Sequence, residues 1–223
     1  IEYLPDDEMV LERMKQGLGF ERPELATLMS YSKISLYDEL LGSNLPDDSY
    51  MEDTLIDYFP TALRKKFAKQ IGEHRLRREI IATAVTNDMV NRVGITFVYE
   101  VKEKTGMASC DIARAYTIAR EVFDMNSLFA MIEGLDNKAP ASLQATLLAE
   151  CGRLIEQGTV WFLRHGAHPL DIRKEVDSYG KEVGTISDQL EKLLSKENTV
   201  LLKKKIADFK AQGVPADIAK RIA

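Results

Sequence analysis

Apolar residues recur at spacings of three and four along almost the whole chain, the period of a helix buried along one face. Asp6 to Gln16 is a short amphipathic piece that Gly17 and Gly19 end. Pro23 suits the first turn of a helix running to Leu41, where Gly42 supplies the C-terminal stop. The acidic turn Asn44-Leu45-Pro46-Asp47-Asp48 leads into a helix ending near Phe59-Pro60, and a further helix covers Thr61 to Ile71. After a long helix at Glu73 to Lys104, Thr105-Gly106 breaks the chain and Ser109 serves as N-cap for Cys110 to Phe123. Asn126 or Ser127 opens a helix to Leu135, and Pro140 precedes a long one to His165 that Gly166 and Pro169 stop.

The stretch from His74 to Val98 stands apart. A basic cluster, Arg75, Arg77 and Arg78, runs into a segment where Ile80, Ile81, Val85, Met89, Val90 and Val93 leave no wide polar stripe. Such a helix belongs at the centre of a bundle. Polar groups on it need partners, because an unpaired buried amide or carboxylate costs about 1–3 kcal/mol. Arg75, Arg78, Asn87, Asp88, Asn91 and Arg92 are therefore expected to form a buried polar network, with Asn87 and Asn91 one turn apart and Asp88 facing Arg92. From Ile95 to Val101 the pattern alternates with a period of two, as in a strand. Helix is preferred there, since no second strand elsewhere could satisfy its backbone groups.

Beyond Pro169 the pattern changes. Ile172, Val176, Tyr179, Val183, Ile186, Leu190 and Leu193 follow alternating steps of four and three, a heptad seam. Glu197-Asn198 is read as a turn, after which Leu202, Ile206 and Phe209 offer a matching face. The seam faces either that helix or a second copy of the chain, and the short turn favours the first. Gly180 and Gly184 weaken the seam helix unless another backbone approaches there. The expected fold is all-α: a multi-helix bundle with a C-terminal antiparallel helical hairpin. Its organisation is 1–22 linker and short helix, 23–166 bundle, and 167–223 hairpin extension.

With 223 residues, 45% of them hydrophobic, the chain can bury a proper core. A net charge of −5 with 29% charged residues reads as an ordinary soluble protein, and the acidic balance argues against nucleic-acid binding. Charge is uneven: residues 1–58 hold 14 Asp/Glu against 4 Lys/Arg, whereas 64–92 hold 8 Lys/Arg against 3 Asp/Glu. Internal complementarity accounts for this; docking of the basic patch on an acidic neighbouring domain is the sharper alternative. Cys110 and Cys151 lack metal-type spacing and read as reduced thiols of a cytoplasmic protein. No apolar run is long enough to span a bilayer. The chain starts at Ile1 and stops inside a helical pattern at Ala223, so it reads as an internal piece of a longer protein.

Candidate chemistry is sparse. Gly17-Leu18-Gly19 follows a helix and lacks the third glycine of a dinucleotide loop, so it reads as a helix stop. His165 and His168 are too few for zinc and suit a polar helix terminus; no metal site is expected. Trp161 beside Phe162 is assigned to core or interface. Thr105 to Phe123 has the outline of a helix-turn-helix, in which Arg114 and Arg120 would read DNA, but Asp111, Glu121 and Asp124 cancel the local charge.

Three long blocks carry a resemblance. They are GFERPELATLMSYSKISLYDELLGSNLPDD at Gly19 to Asp48, RLRREIIATAVTNDMVNRVGITFV at Arg75 to Val98, and TGMASCDIARAYTIAREVFDMNSLFAMIEGLDNKAPASLQ at Thr105 to Gln144. In that order they resemble the region near the end of the very large bacterial NAD-specific glutamate dehydrogenases, over roughly Leu4 to His165 with a looser match beyond. The resemblance implies a parent enzyme that oxidatively deaminates L-glutamate with NAD and is a homo-oligomer. It places the catalytic and cofactor-binding parts upstream, so no catalytic, cofactor or metal residue carries over. A non-catalytic helical domain follows, binding no NAD itself and partnered by the catalytic domain of the same chain, with no nucleic acid and no membrane. The rival reading is a free-standing helical interaction module, DNA-binding in its boldest form.

Overall fold

The computed structural model describes residues 4–223. Among them are thirteen α-helices and one short 3-10 turn, with no strand, so the fold is all-α. The helices fall into two compact units, one reaching Phe97 and the other running from Val98 to Ala223. This division lies within the 23–166 stretch expected to form one bundle.

The first unit contains α1 (Asp7–Lys15), α2 (Arg22–Leu41), the 3-10 turn Leu45–Asp47, α3 (Met51–Tyr58), α4 (Thr61–Arg64), α5 (Ala68–Gly72) and α6 (Arg77–Val93). Local chemistry explains the starts. The Asp6 carboxylate accepts the Met9 N–H, and the Glu24 carboxylate accepts the Glu21 N–H in a capping box. Leu36 and Leu40 of α2, Leu45, Met51 and Leu55 of α3, and Ile81, Val85 and Met89 of α6 make the core. The helix expected over Thr61 to Ile71 is two short ones, α4 and α5.

The helix expected at Glu73 to Lys104 is also broken. Gly94 adopts φ 99° and ψ 167°, a conformation that only glycine takes without strain, and its N–H closes α6 on the Val90 carbonyl. The alternating residues that follow do form a helix, α7 (Phe97–Thr105). A second correction concerns α6 itself. Ile81, Ala82, Val85, Thr86, Met89 and Val90 are buried, while Asn91 is exposed and Asn87 and Asp88 are half-buried. Helix α6 packs on α2, α3 and the 3-10 turn, with its fully buried positions along one side.

The all-round buried helix is α8 (Ser109–Val122), in the second unit, where every residue from Ile112 to Ala119 is buried. Ser109 is the first residue of that helix and is itself buried; Ala108 takes the cap position. Around α8 pack α9 (Met125–Glu133), α10 (Ala141–His165) and α11 (Ile172–Leu193). Gly158 permits the α8–α10 approach: a Cβ there would lie 2.6 Å from a Phe123 ring carbon and 3.1 Å from the Ala119 Cβ. The second unit closes with α12 (Lys196–Ala211) and α13 (Ala216–Ile222), and α13 packs on α9, α10 and α12.

A packed antiparallel hairpin of α11 on α12 is not what the contacts show. The N-terminal part of the seam is used against α8, with Ile172 buried and Val176 and Tyr179 half-buried, whereas Ile186, Leu190 and Leu193 are exposed. The ion pair Lys203–Glu191 at 3.7 Å links the two helices at the surface. Their junction is Leu194-Ser195, with Ser195 Oγ accepting the Asn198 N–H, so Glu197 and Asn198 lie inside α12. Gly180 and Gly184 meet no neighbouring atom within 4 Å, so no close backbone approach accounts for them.

These two glycine environments give opposite expectations. Gly158→Val should destabilise by about 1–3 kcal/mol through overpacking of α8 against α10. Gly184→Ala, in open space on a helix, should stabilise by up to about 1 kcal/mol. Thermal unfolding of both variants checks the pair, and a Gly158→Val variant as stable as the parent would show that α10 is free to move away from α8.

Candidate functional site

Arg78, one of the polar residues singled out on α6, is anchored by three groups. Its Nη2 donates to the carbonyl oxygens of Leu41 at 2.7 Å and Ser43 at 2.9 Å, and its Nη1 pairs with the Asp47 carboxylate. The Leu41 carbonyl belongs to the last turn of α2, where orphan acceptors and the negative end of the helix dipole favour a cation. One guanidinium thus ties the end of α2 and the following 3-10 turn to the start of α6. Hydrogen bonding from Arg78 holds the Asp47 carboxyl below its ordinary range.

The other five residues lie apart from this clamp. Arg75 and Asn91 are exposed; Asn87, Asp88 and Arg92 are half-buried, and Asp88 and Arg92 each take part in a polar or electrostatic interaction. Ten residues separate Arg78 from Asp88, about 15 Å along a helix axis, beyond the reach of one side chain. Arg78 therefore pairs with residues outside α6 rather than with Asp88.

A second cluster lies in the other unit, on one face of α10. Glu156, Gln157, Val160, Trp161, Arg164 and His165 recur at helical spacing and, with Lys104 of α7, line an open groove of about 360 Å³. Lys104 Nζ donates to Glu156 Oε1 at 2.5 Å, a hydrogen bond that holds its ammonium above the ordinary lysine range. Trp161 stacks on His165 with ring centroids 4.9 Å apart, and meets Phe162 and Tyr179 edge-on at 5.1 and 5.5 Å. The ring is partly exposed, with one side built into this aromatic group. The groove thus sets a paired lysine and carboxylate beside a partly exposed aromatic group.

The remaining candidates settle into structural roles. The Trp161 carbonyl accepts from His165 Nδ1 at 2.9 Å, and the Leu163 carbonyl from His168 Nε2 at 2.8 Å. Both imidazoles thus cap the end of α10. Among the described residues no group of three or more His, Cys, Asp or Glu could hold a metal ion. Gly17, at φ 71°, ends α1 in a Schellman motif: Leu18 N–H donates to the Arg13 carbonyl and Gly17 N–H to that of Met14. That is the helix stop expected at Gly17. Arg114, which DNA reading would need exposed, is 8% exposed within α8, and Arg120 is ion-paired to Glu121 at 2.7 Å. No described helix is long and apolar enough to cross a membrane.

A family model described as "Glutamate dehydrogenase, C-terminal" matches residues 17–223. The chain belongs to that family. Over all 223 residues it is similar to the NAD-specific glutamate dehydrogenase of Pseudomonas aeruginosa at 40% identity, to that of Halomonas elongata at 35%, and to that of Mycobacterium tuberculosis at 33%. It spans 14% of the length of each of these relatives.

Two features of this glutamate dehydrogenase C-terminal region were out of reach of sequence reasoning. The partners of Arg78 lie 31 to 37 residues upstream and two of them are backbone carbonyls, which leave no mark on residue type. The α10 groove needs Lys104, 52 residues before Glu156. Its Trp161–His165 stack, one turn apart, was the part that spacing could have signalled.

Replacing Arg78 by Met should cost about 1–2 kcal/mol from its two carbonyl hydrogen bonds alone. It should also remove a pH dependence. A depressed native carboxyl contributes stability that is present above its unfolded-state pKa and lost as pH falls through the lower native value. Acid titration of thermal stability should therefore show a smaller acid loss in Arg78→Met than in the parent; identical acid limbs would separate Asp47 from Arg78. The Cys151 thiol, pushed up to about 11 chiefly by burial, is expected to resist alkylation near pH 8 in the folded chain and to react once unfolded. Equal labelling rates in both states, read by mass spectrometry, would contradict this.

Proposed function

We propose that this chain is a non-catalytic helical region of an NAD-dependent glutamate dehydrogenase, the enzyme that oxidatively deaminates L-glutamate to 2-oxoglutarate and ammonia. The names of the three relatives support the parent activity. One observation supports the non-catalytic role: the described residues contain no strand. A dinucleotide site of the Rossmann kind is built from a strand, a glycine-rich turn and a helix whose N-terminus meets the pyrophosphate. The residues present do not fit NAD, and the cofactor is held elsewhere in the parent protein.

The role proposed for the region is bracing of the catalytic domain of the same polypeptide, or mediating subunit or regulatory contacts in a cytoplasmic homo-oligomer. Two rigid helical units suit that task. Their clamps tie helices together: Arg78 in one unit and Arg221–Asp124 at 3.1 Å in the other act at helix ends, and Lys205–Glu150 at 3.1 Å joins the middles of α12 and α10.

The isolated chain is expected to give a flat calorimetric titration with NAD and no glutamate-dependent NAD reduction. Saturable binding in the micromolar range would overturn the non-catalytic reading.

A further inference from the structure

Residues 4–34 include an apolar surface that no described residue of the first unit covers. Helix α1 has no buried residue, and α2 buries only Leu36 and Leu40, both in its C-terminal third. At 100° per residue those two lie on the same stripe as Met29 and Leu25, about two to four turns earlier. The stripe is covered where α2 meets α6 and is then left open: Met29 is 46% and Leu25 44% exposed. Tyr31 and Ile34 add a second exposed apolar strip on α2, while Met9, Leu11, Met14, Leu18 and Phe20 extend the surface across α1 and the connecting loop.

This is a built element rather than a loose tail. The Glu24 carboxylate receives both the Glu21 N–H and the Arg13 guanidinium, each at 2.7 Å, and so fastens α1 to the start of α2. An ordered pair of helices presenting large Met, Leu and aromatic side chains has the composition of an interface core. Six carboxylates between Asp6 and Glu24, against three basic residues, give it an acidic rim.

We infer that α1 and the N-terminal two-thirds of α2 form a docking arm, and that its occupant is an apolar, basic-rimmed surface on the remainder of the same polypeptide. The inference rests on the reading that the chain is one part of a much longer glutamate dehydrogenase. Length argues for this occupant over a second copy. The chain is 14% of each relative, and the tethered remainder sits at an effective concentration far above that of any free partner.

Methionine oxidation by dilute peroxide tests the arm, with the 223-residue chain and a polypeptide of the relatives' length compared by peptide mass spectrometry. Met9, Met14 and Met29 should oxidise about tenfold or more slowly in the long protein than in the short chain. Met51, Met89 and Met125, fully buried, should be slow in both. In the long protein Leu25→Glu with Met29→Glu should restore fast oxidation at Met9 and Met14, while leaving the melting point of the short chain unchanged. Equal rates in the two wild-type proteins would overturn the proposal. So would protection that develops in the short chain as its concentration rises, which would identify a second copy as the occupant. Glutamate-dependent NAD reduction by the same long-protein samples separates the two readings. Protection without turnover supports the arm and removes the enzymatic reading, and turnover without protection removes the arm alone.

Discussion

Burying a helix on every side requires neighbours on every side, and α8 imposes that requirement on the second unit. From Ile112 to Ala119 no residue is exposed, so α9, α10 and α11 must each present an apolar face to it. Small residues set how near they come. Ala113, Ala115 and Ala119 lie on α8, and Gly158 brings α10 against Ala119 and Phe123 with no room for a methyl group. Protein interiors are packed like organic crystals, so such a contact fixes the placement of the whole helix. The α10 groove inherits its geometry from this. With Thr159 and Phe162 packed inward, Glu156, Trp161, Arg164 and His165 are turned outward to meet Lys104.

The first unit is organised differently, around a charge rather than a close-packed helix. The guanidinium of Arg78 collects two backbone carbonyls and a carboxylate from the corner after α2. Hydrogen bonds to a charged group exceed neutral ones in strength. Here the group also satisfies acceptors that a helix end leaves open. The result holds the buried third of α2 on α6 and leaves its other two-thirds projecting with apolar side chains on more than one face. Exposed apolar surface of this extent is what interaction sites present.

Much of the helical layout was legible from residue patterns, because capping and periodicity are local. The helix of Pro23 to Leu41 and the one ending at His165 are present with their boundaries nearly as expected, and the strand-like alternation after Ile95 resolves as helix. Recognition of the family was likewise carried by long blocks of sequence, and the match extends over residues 17–223. Where the reading went astray, competing tertiary terms decided. Apolar content marked His74 to Val98 as part of one unbroken helix, apolar nearly all round, yet Gly94 ends it and Asn91 faces water. The alanine-rich α8 carries no pattern that singles it out from an ordinary bundle helix; its small side chains, not its apolarity, qualify it for the centre. The heptad seam of α11 was a correct sign of an apolar face and an incorrect guide to its partner, since α8 takes the first part of it.

By itself the sequence determined an all-α chain, the main helix starts and stops, and the family, since each depends on residues close together along the chain. Which helix is central, what Arg78 holds, how Lys104 reaches Glu156 and which apolar stripes are left uncovered were decided by the tertiary structure alone. Those outcomes depend on distances between residues 30 to 50 positions apart, and a pattern of residue types carries no record of such distances.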